Sequence, residues 1–155
     1  MSSPFLLHPM LVHMALSLGL LAAAGEIFPR LRERISTPLL RGLWAGTLSV
    51  FLLAALAGIL SLDRIKEQKI PIPGEASLHR LIALSAIGIF FILGLLRLLP
   101  ERRSFSLPLA LRRILALSAL VLLLSAAALG GHLVYDDRLG TAFMTQGLPP
   151  LPPPP

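Results

Sequence analysis

Four histidines are the residues best suited to chemistry in this 155-residue chain, and they are unevenly placed. His8 and His13 belong to His8-Pro9-Met10-Leu11-Val12-His13, which opens the first of four apolar runs. His79 stands near the start of the third run, and His132 follows Gly130-Gly131 near the end of the fourth. Imidazole ligates haem iron, copper and zinc alike. Helical bundles commonly build such sites from facing side chains. If the runs thread back and forth through a bilayer, all four rings arrive at one membrane face. Ionisable groups within a membrane segment are costly and usually face the bundle interior, so the coincidence points to a cofactor or metal.

Haem b suits these surroundings best. His13 with either His79 or His132 supplies the axial pair, each about a turn inside the membrane. His8, Arg64 or Arg80 then meets the propionates at the water boundary. Gly130 and Gly131 permit close approach of a ligand or another backbone. A zinc or copper site built on His13, His79 and His132 is the second chemistry. The third reading has no cofactor, and the imidazoles are hydrogen-bonding residues at helix ends. Met10, Met14 and Met144 offer weaker thioether ligands, and core filling suits the first two better. Asp63, at the end of the second run, is either a solvated acid or an acceptor for an imidazole N–H.

The elements that must position these groups are membrane helices. Hydrophobic residues make up 55% of the chain and charged ones 14%, with mean hydropathy +0.79, against about 25% charged in soluble domains. The length leaves room for four short-looped spans. The expected fold is all-α: an integral membrane four-helix bundle of antiparallel up-down topology. Its spans are about 9–28, 39–62, 77–99 and 111–135, making a membrane domain of 1–140 and a proline-rich extended tail of 141–155. Pro9 suits the first helical position, which biases His8 to the cap. Pro29 helps end span one, where Glu26 can pair with Arg30 at i,i+4. Arg41 and Trp44 read as interface anchors of span two. Its small residues Gly42, Ala45, Gly46, Ser49, Ala54 and Gly58 predict close helix packing. In span four, Ser118, Val121, Ser125, Ala128 and His132 share a stripe that is expected to face inward.

Arginine sets the orientation. Nine Arg lie in or beside the first and third loops, against five Lys and Arg on the other side, so both termini are expected on the extracytoplasmic side of a bacterial inner membrane. The apolar start carries no Lys or Arg and reads as an uncleaved first span. Cysteine is absent, which excludes disulfides, thiolate metal sites and covalent c-type haem. No nucleic-acid motif, phosphate loop, nucleophile elbow or HExxH pattern is present, so no enzyme and no nucleic-acid partner is expected. The tail favours extended polyproline geometry. It is either a solvent tail or a segment docked on a partner subunit.

The pattern resembles a bacterial four-span membrane family, domain of unknown function 2231. The resemblance rests on the His8 to His13 opening, Gly58 to Asp63 closing the second span, His79 opening the third, and Gly130-Gly131-His132-Leu133-Val134-Tyr135 closing the fourth. Met14-Ala15 stands where members commonly show Phe-Pro, and His132 occupies a variable slot of the closing motif. Some members are fused to Rieske-type iron–sulfur domains, so the resemblance implies a redox setting. The expectation is an electron-transfer or accessory subunit of a respiratory or photosynthetic-type complex. Its partners would be other subunits, an extracytoplasmic cytochrome or iron–sulfur protein, lipid and quinone. A cofactor-free structural subunit and a zinc- or copper-binding protein are the alternatives.

Overall fold

In hydrocarbon, backbone N–H and C=O groups have only each other as partners, so each apolar run folds as one long helix. The computed structural model describes residues 7–67, 72–99 and 107–135. Its helices are α1 (Leu7–Ile27), α2 (Pro29–Glu33), α3 (Thr37–Glu67), α4 (Gly74–Leu98) and α5 (Leu109–Tyr135), with no strand among the described residues. All but α2 are long and apolar enough to cross a membrane. The shortest of these four, α1, has 21 residues, which at the usual helical rise covers roughly 30 Å, one hydrocarbon thickness. The tail lies outside the described residues.

Local chemistry sets the helix ends. α1 is already helical at Leu7, so His8 sits within the helix and not at a cap outside it. Pro9 is harmless there because the first four N–H groups of a helix lack intrahelical partners. At the other end Phe28 is extended, with φ −109° and ψ 94°, as the ring of a following proline demands. Pro29 then opens the one-turn α2 within the expected loop. α3 continues through Asp63 to Glu67 because no Gly or Pro intervenes before Pro71.

The helices close into a ring. α1 packs on α3 and α5, and α4 packs on α5 and α3. The inward positions repeat. Ala15, Gly19, Ala22, Ala23 and Glu26 of α1 correspond to Ala86, Phe90, Leu93, Gly94 and Arg97 of α4 at the 71-residue spacing that separates Glu26 from Arg97. At an offset one residue longer, Trp44, Thr47, Phe51 and Ala54 of α3 correspond to Ala116, Ala119, Leu123 and Ala126 of α5, all of them buried. The pairs α1–α3 and α4–α5 are thus two versions of one unit, related by an approximate two-fold rotation.

Side-chain size is complementary between the halves. Phe90 stands where the other half has Gly19, and its ring meets Phe51 edge-on with centroids 4.9 Å apart. The counterpart contact is Leu123 on Gly19, whose Cδ2 lies 2.8 Å from where a Cβ would be. Trp44 packs against Phe90 at 6.3 Å and is answered by Ala116 in the second half.

Several expectations about helix faces need correction. Trp44 is fully buried and not an interface anchor. On α3, Gly42, Ala45 and Ser49 are exposed, and only the Ala54 and Gly58 part of the small-residue set lies in a helix contact. On α5, Ser118, Val121, Ala128 and His132 are exposed, and the inward stripe is instead Ala116, Ala119, Leu123, Ala126 and Leu133. Both stripes have helical spacing, and alanine permits closer approach than the serine and valine of the other face. Met10 and Met14 are exposed and do not fill the core. Leu20, Leu52, Leu56, Leu81, Leu84 and Val121 are exposed too. So wide an apolar exterior suits lipid and not water.

Candidate functional site: two histidine joints

The repeat unit brings each of two histidines onto a neighbouring helix in the same way. His8 of α1 reaches α3, where its Nδ1 lies 3.1 Å from the carbonyl oxygen of Ala54. His79 of α4 reaches α5, where its Nδ1 lies 2.9 Å from the carbonyl oxygen of Ala126. A carbonyl only accepts, so Nδ1 carries the hydrogen and donates it. Nε2 of each neutral ring is left with a lone pair. A glycine one turn beyond each accepting alanine makes room for the ring. A Cβ on Gly58 would stand 3.1 Å from Cε1 of His8, and a Cβ on Gly130 would stand 2.9 Å from Cε1 of His79. Both imidazoles are half-buried.

The other sequence-predicted groups are placed differently. His13 is exposed, and its Nδ1 donates to the carbonyl of Pro9 on its own helix at 2.7 Å. Its ring borders a shallow outer hollow with Met14, Ser17 and Leu18. His132 is exposed on α5, next to the buried Leu133. The structure therefore seats His8 and His79 in matching joints, while His13 bonds within its own helix and His132 lies on the exposed side of α5. No three His, Asp or Glu side chains among the described residues form a group able to hold a metal ion. Arg80 and Asp63 are exposed, and Gly131 has open space around it. The side chain of Arg64 and residue Met144 lie outside the described part.

The accepting sites escaped sequence reasoning although a signal existed. Ala54-Ala55-Leu56-Ala57-Gly58 and Ala126-Ala127-Ala128-Leu129-Gly130 share an Ala-xxx-Gly frame. Each lies nearly the same distance after its histidine, 46 and 47 residues from His to accepting Ala. Comparing the chain with itself would have exposed the pair.

The repeat also accounts for an ion pair near the C-terminal ends of α1 and α4. Arg97 grips Glu26 with both arms of its fork, Nε to Oε1 at 2.5 Å and Nη2 to Oε2 at 2.6 Å. Their side chains are 13% and 2% exposed. Glu26 and Arg97 occupy equivalent positions and touch, so they lie on the two-fold axis. The expected Glu26–Arg30 pair does not form. α1 breaks at Phe28, which destroys the i,i+4 register, and Glu26 points inward. A buried carboxylate needs a hydrogen-bonded countercharge, and the other half supplies it.

No curated protein and no solved structure matches the chain. One family model, described as a predicted membrane protein of domain of unknown function 2231, matches residues 4–142. That match covers the four membrane-length helices and both histidine joints, so the chain belongs to this family of membrane proteins.

Proposed function

We propose that the protein is an electron-transfer or accessory subunit of a bacterial inner-membrane redox complex, with haem b held at the histidine end of the bundle. The observation that supports this is the pair of matched joints. Each fixes an imidazole by its Nδ1–H and leaves Nε2 as the ligating nitrogen, the arrangement that protein carbonyls impose on metal-binding histidines. The favoured axial pair thereby moves from His13 with either His79 or His132 to His8 with His79. Arg80, exposed in the first turns of α4, would meet a propionate as a charged donor.

The threading that accompanies this reading is antiparallel and up-down. His8, near the start of α1, meets the later half of α3, and His79, near the start of α4, meets the later half of α5. With the arginine-rich loops inside, both termini and both joints face the extracytoplasmic side. A haem there exchanges electrons with an extracytoplasmic cytochrome or iron–sulfur protein, and quinone is the membrane-borne counterpart.

Absorbance spectra of the purified full-length protein, oxidised and dithionite-reduced, test the proposal. A six-coordinate haem b spectrum is expected. His8→Ala and His79→Ala should each remove or convert it, whereas His13→Ala should leave it. Loss with His13→Ala alone would restore the first ligand choice. The same joints favour a second reading, in which the rings only clamp helix to helix in a cofactor-free structural subunit. A colourless protein that needs both histidines for thermal stability would establish it. Metal analysis of that preparation would identify a zinc- or copper-binding protein instead.

A further inference from the structure

We infer that the arginine end of the bundle, opposite the histidine joints, is a binding site for the phosphate of an anionic lipid headgroup. A cavity of about 750 Å³ opens there between α2, the start of α3, the end of α4 and the start of α5. Among the described residues its charged lining is Arg32, Arg41, Arg97 and Arg112, with Glu33 as the one acid. The volume lies within the range of about 300–1,000 Å³ common for small-ligand sites.

The charge inside is unbalanced. Glu26, beneath the cavity, satisfies Arg97. Against four guanidiniums, Glu26 and Glu33 leave two positive charges over among the described residues. Arg112 lines the cavity together with Arg97 and Arg32. Its own Nε is held by the carbonyl of Leu107 at 3.0 Å, which keeps the guanidinium at the cavity. Like charges held together beside low-dielectric walls form a focused positive field, and a phosphate relieves it through charge-assisted hydrogen bonds to the guanidinium forks.

The walls select the source of the phosphate. Leu40, Leu96, Leu99 and Leu109 line the same cavity, and Leu39, Leu95 and Leu111 beside them are exposed. A ligand with phosphate next to hydrocarbon satisfies both surfaces, whereas a free phosphate uses only the arginines. Helix ends lie at headgroup depth, and basic pockets between membrane helices are suited to anionic headgroups. The inference stands apart from the haem reading, since it concerns the other end of the molecule.

The test uses the full-length protein in zwitterionic detergent, titrated with fluorescent phosphatidylglycerol, fluorescent phosphatidylcholine and inorganic phosphate. Phosphatidylglycerol should bind at least about tenfold tighter than phosphatidylcholine and weaken as salt rises. The double variant Arg32→Gln/Arg41→Gln, with unchanged helical circular dichroism, should lose about tenfold or more of that affinity, and Arg32→Lys/Arg41→Lys should keep most of it. Equal binding of the two lipids, indifference to salt, or full affinity in the folded Gln variant would overturn the site. Inorganic phosphate that binds as tightly as phosphatidylglycerol would overturn its assignment to a lipid. If the Gln variant does not fold, the headgroup and salt comparisons on the unaltered chain decide alone.

Discussion

At the scale of single residues, the two glycines beneath the imidazoles are the most exacting positions. A methyl on Gly130 would stand 2.9 Å from the ring carbon of His79, and one on Gly58 would stand 3.1 Å from that of His8. Neither ring can retreat without leaving its carbonyl. Gly130→Ala is therefore expected to cost about 1–3 kcal/mol by overpacking, and Gly58→Ala somewhat less. Thermal unfolding in detergent reads both. Gly131→Ala, with nothing near its Cβ position, serves as the control and should be neutral or slightly stabilising. Gly130 was legible in sequence as a place of close approach, because a helical glycine needs a reason. Which ring of the four would fill it was not legible, since His79 and His132 both stand near that end and only packing separates them.

At the scale of the helices, the Glu26–Arg97 pair ties α1 to α4 across the bundle, where these two helices otherwise have little contact. Removing one partner strands the other. Arg97→Leu should cost about 3–5 kcal/mol, whereas Glu26→Leu/Arg97→Leu should restore most of it, because two apolar residues leave no buried charge. The exchange Glu26→Arg/Arg97→Glu tests the two-fold relation more sharply. It should recover most of the stability lost in Glu26→Arg alone, and a double variant as unstable as the single one would refute equivalence of the positions. Helix existence was plain from the apolar runs, but helix facing was not. α5 carries two stripes of helical spacing, and nothing in periodicity alone prefers Ala116, Ala119 and Ala126 to Ser118, Ser125 and Ala128. Trp44 illustrates the same difficulty, since an aromatic near a span end suits either a headgroup or the core. Its partner Phe90 lies on another helix.

At the scale of the whole molecule, the natural absence of cysteine makes the chain its own background for mapping sidedness. Arg34→Cys and Glu75→Cys, each introduced alone, should react differently with a membrane-impermeant thiol reagent on intact cells. The cysteine at 75 is expected to be labelled and the one at 34 protected. Labelling of both, or the reverse pattern, would remove the proposed orientation. Two identical units meeting about an axis must present each axial residue to its own duplicate, so glutamate would face glutamate and arginine would face arginine. Opposite charges can meet there only when the two units are encoded separately, as they are along this single polypeptide. Covalent joining thus grants this protein a freedom closed to any symmetric homodimer of its parts: the two sides of its midline are able to become chemically unlike.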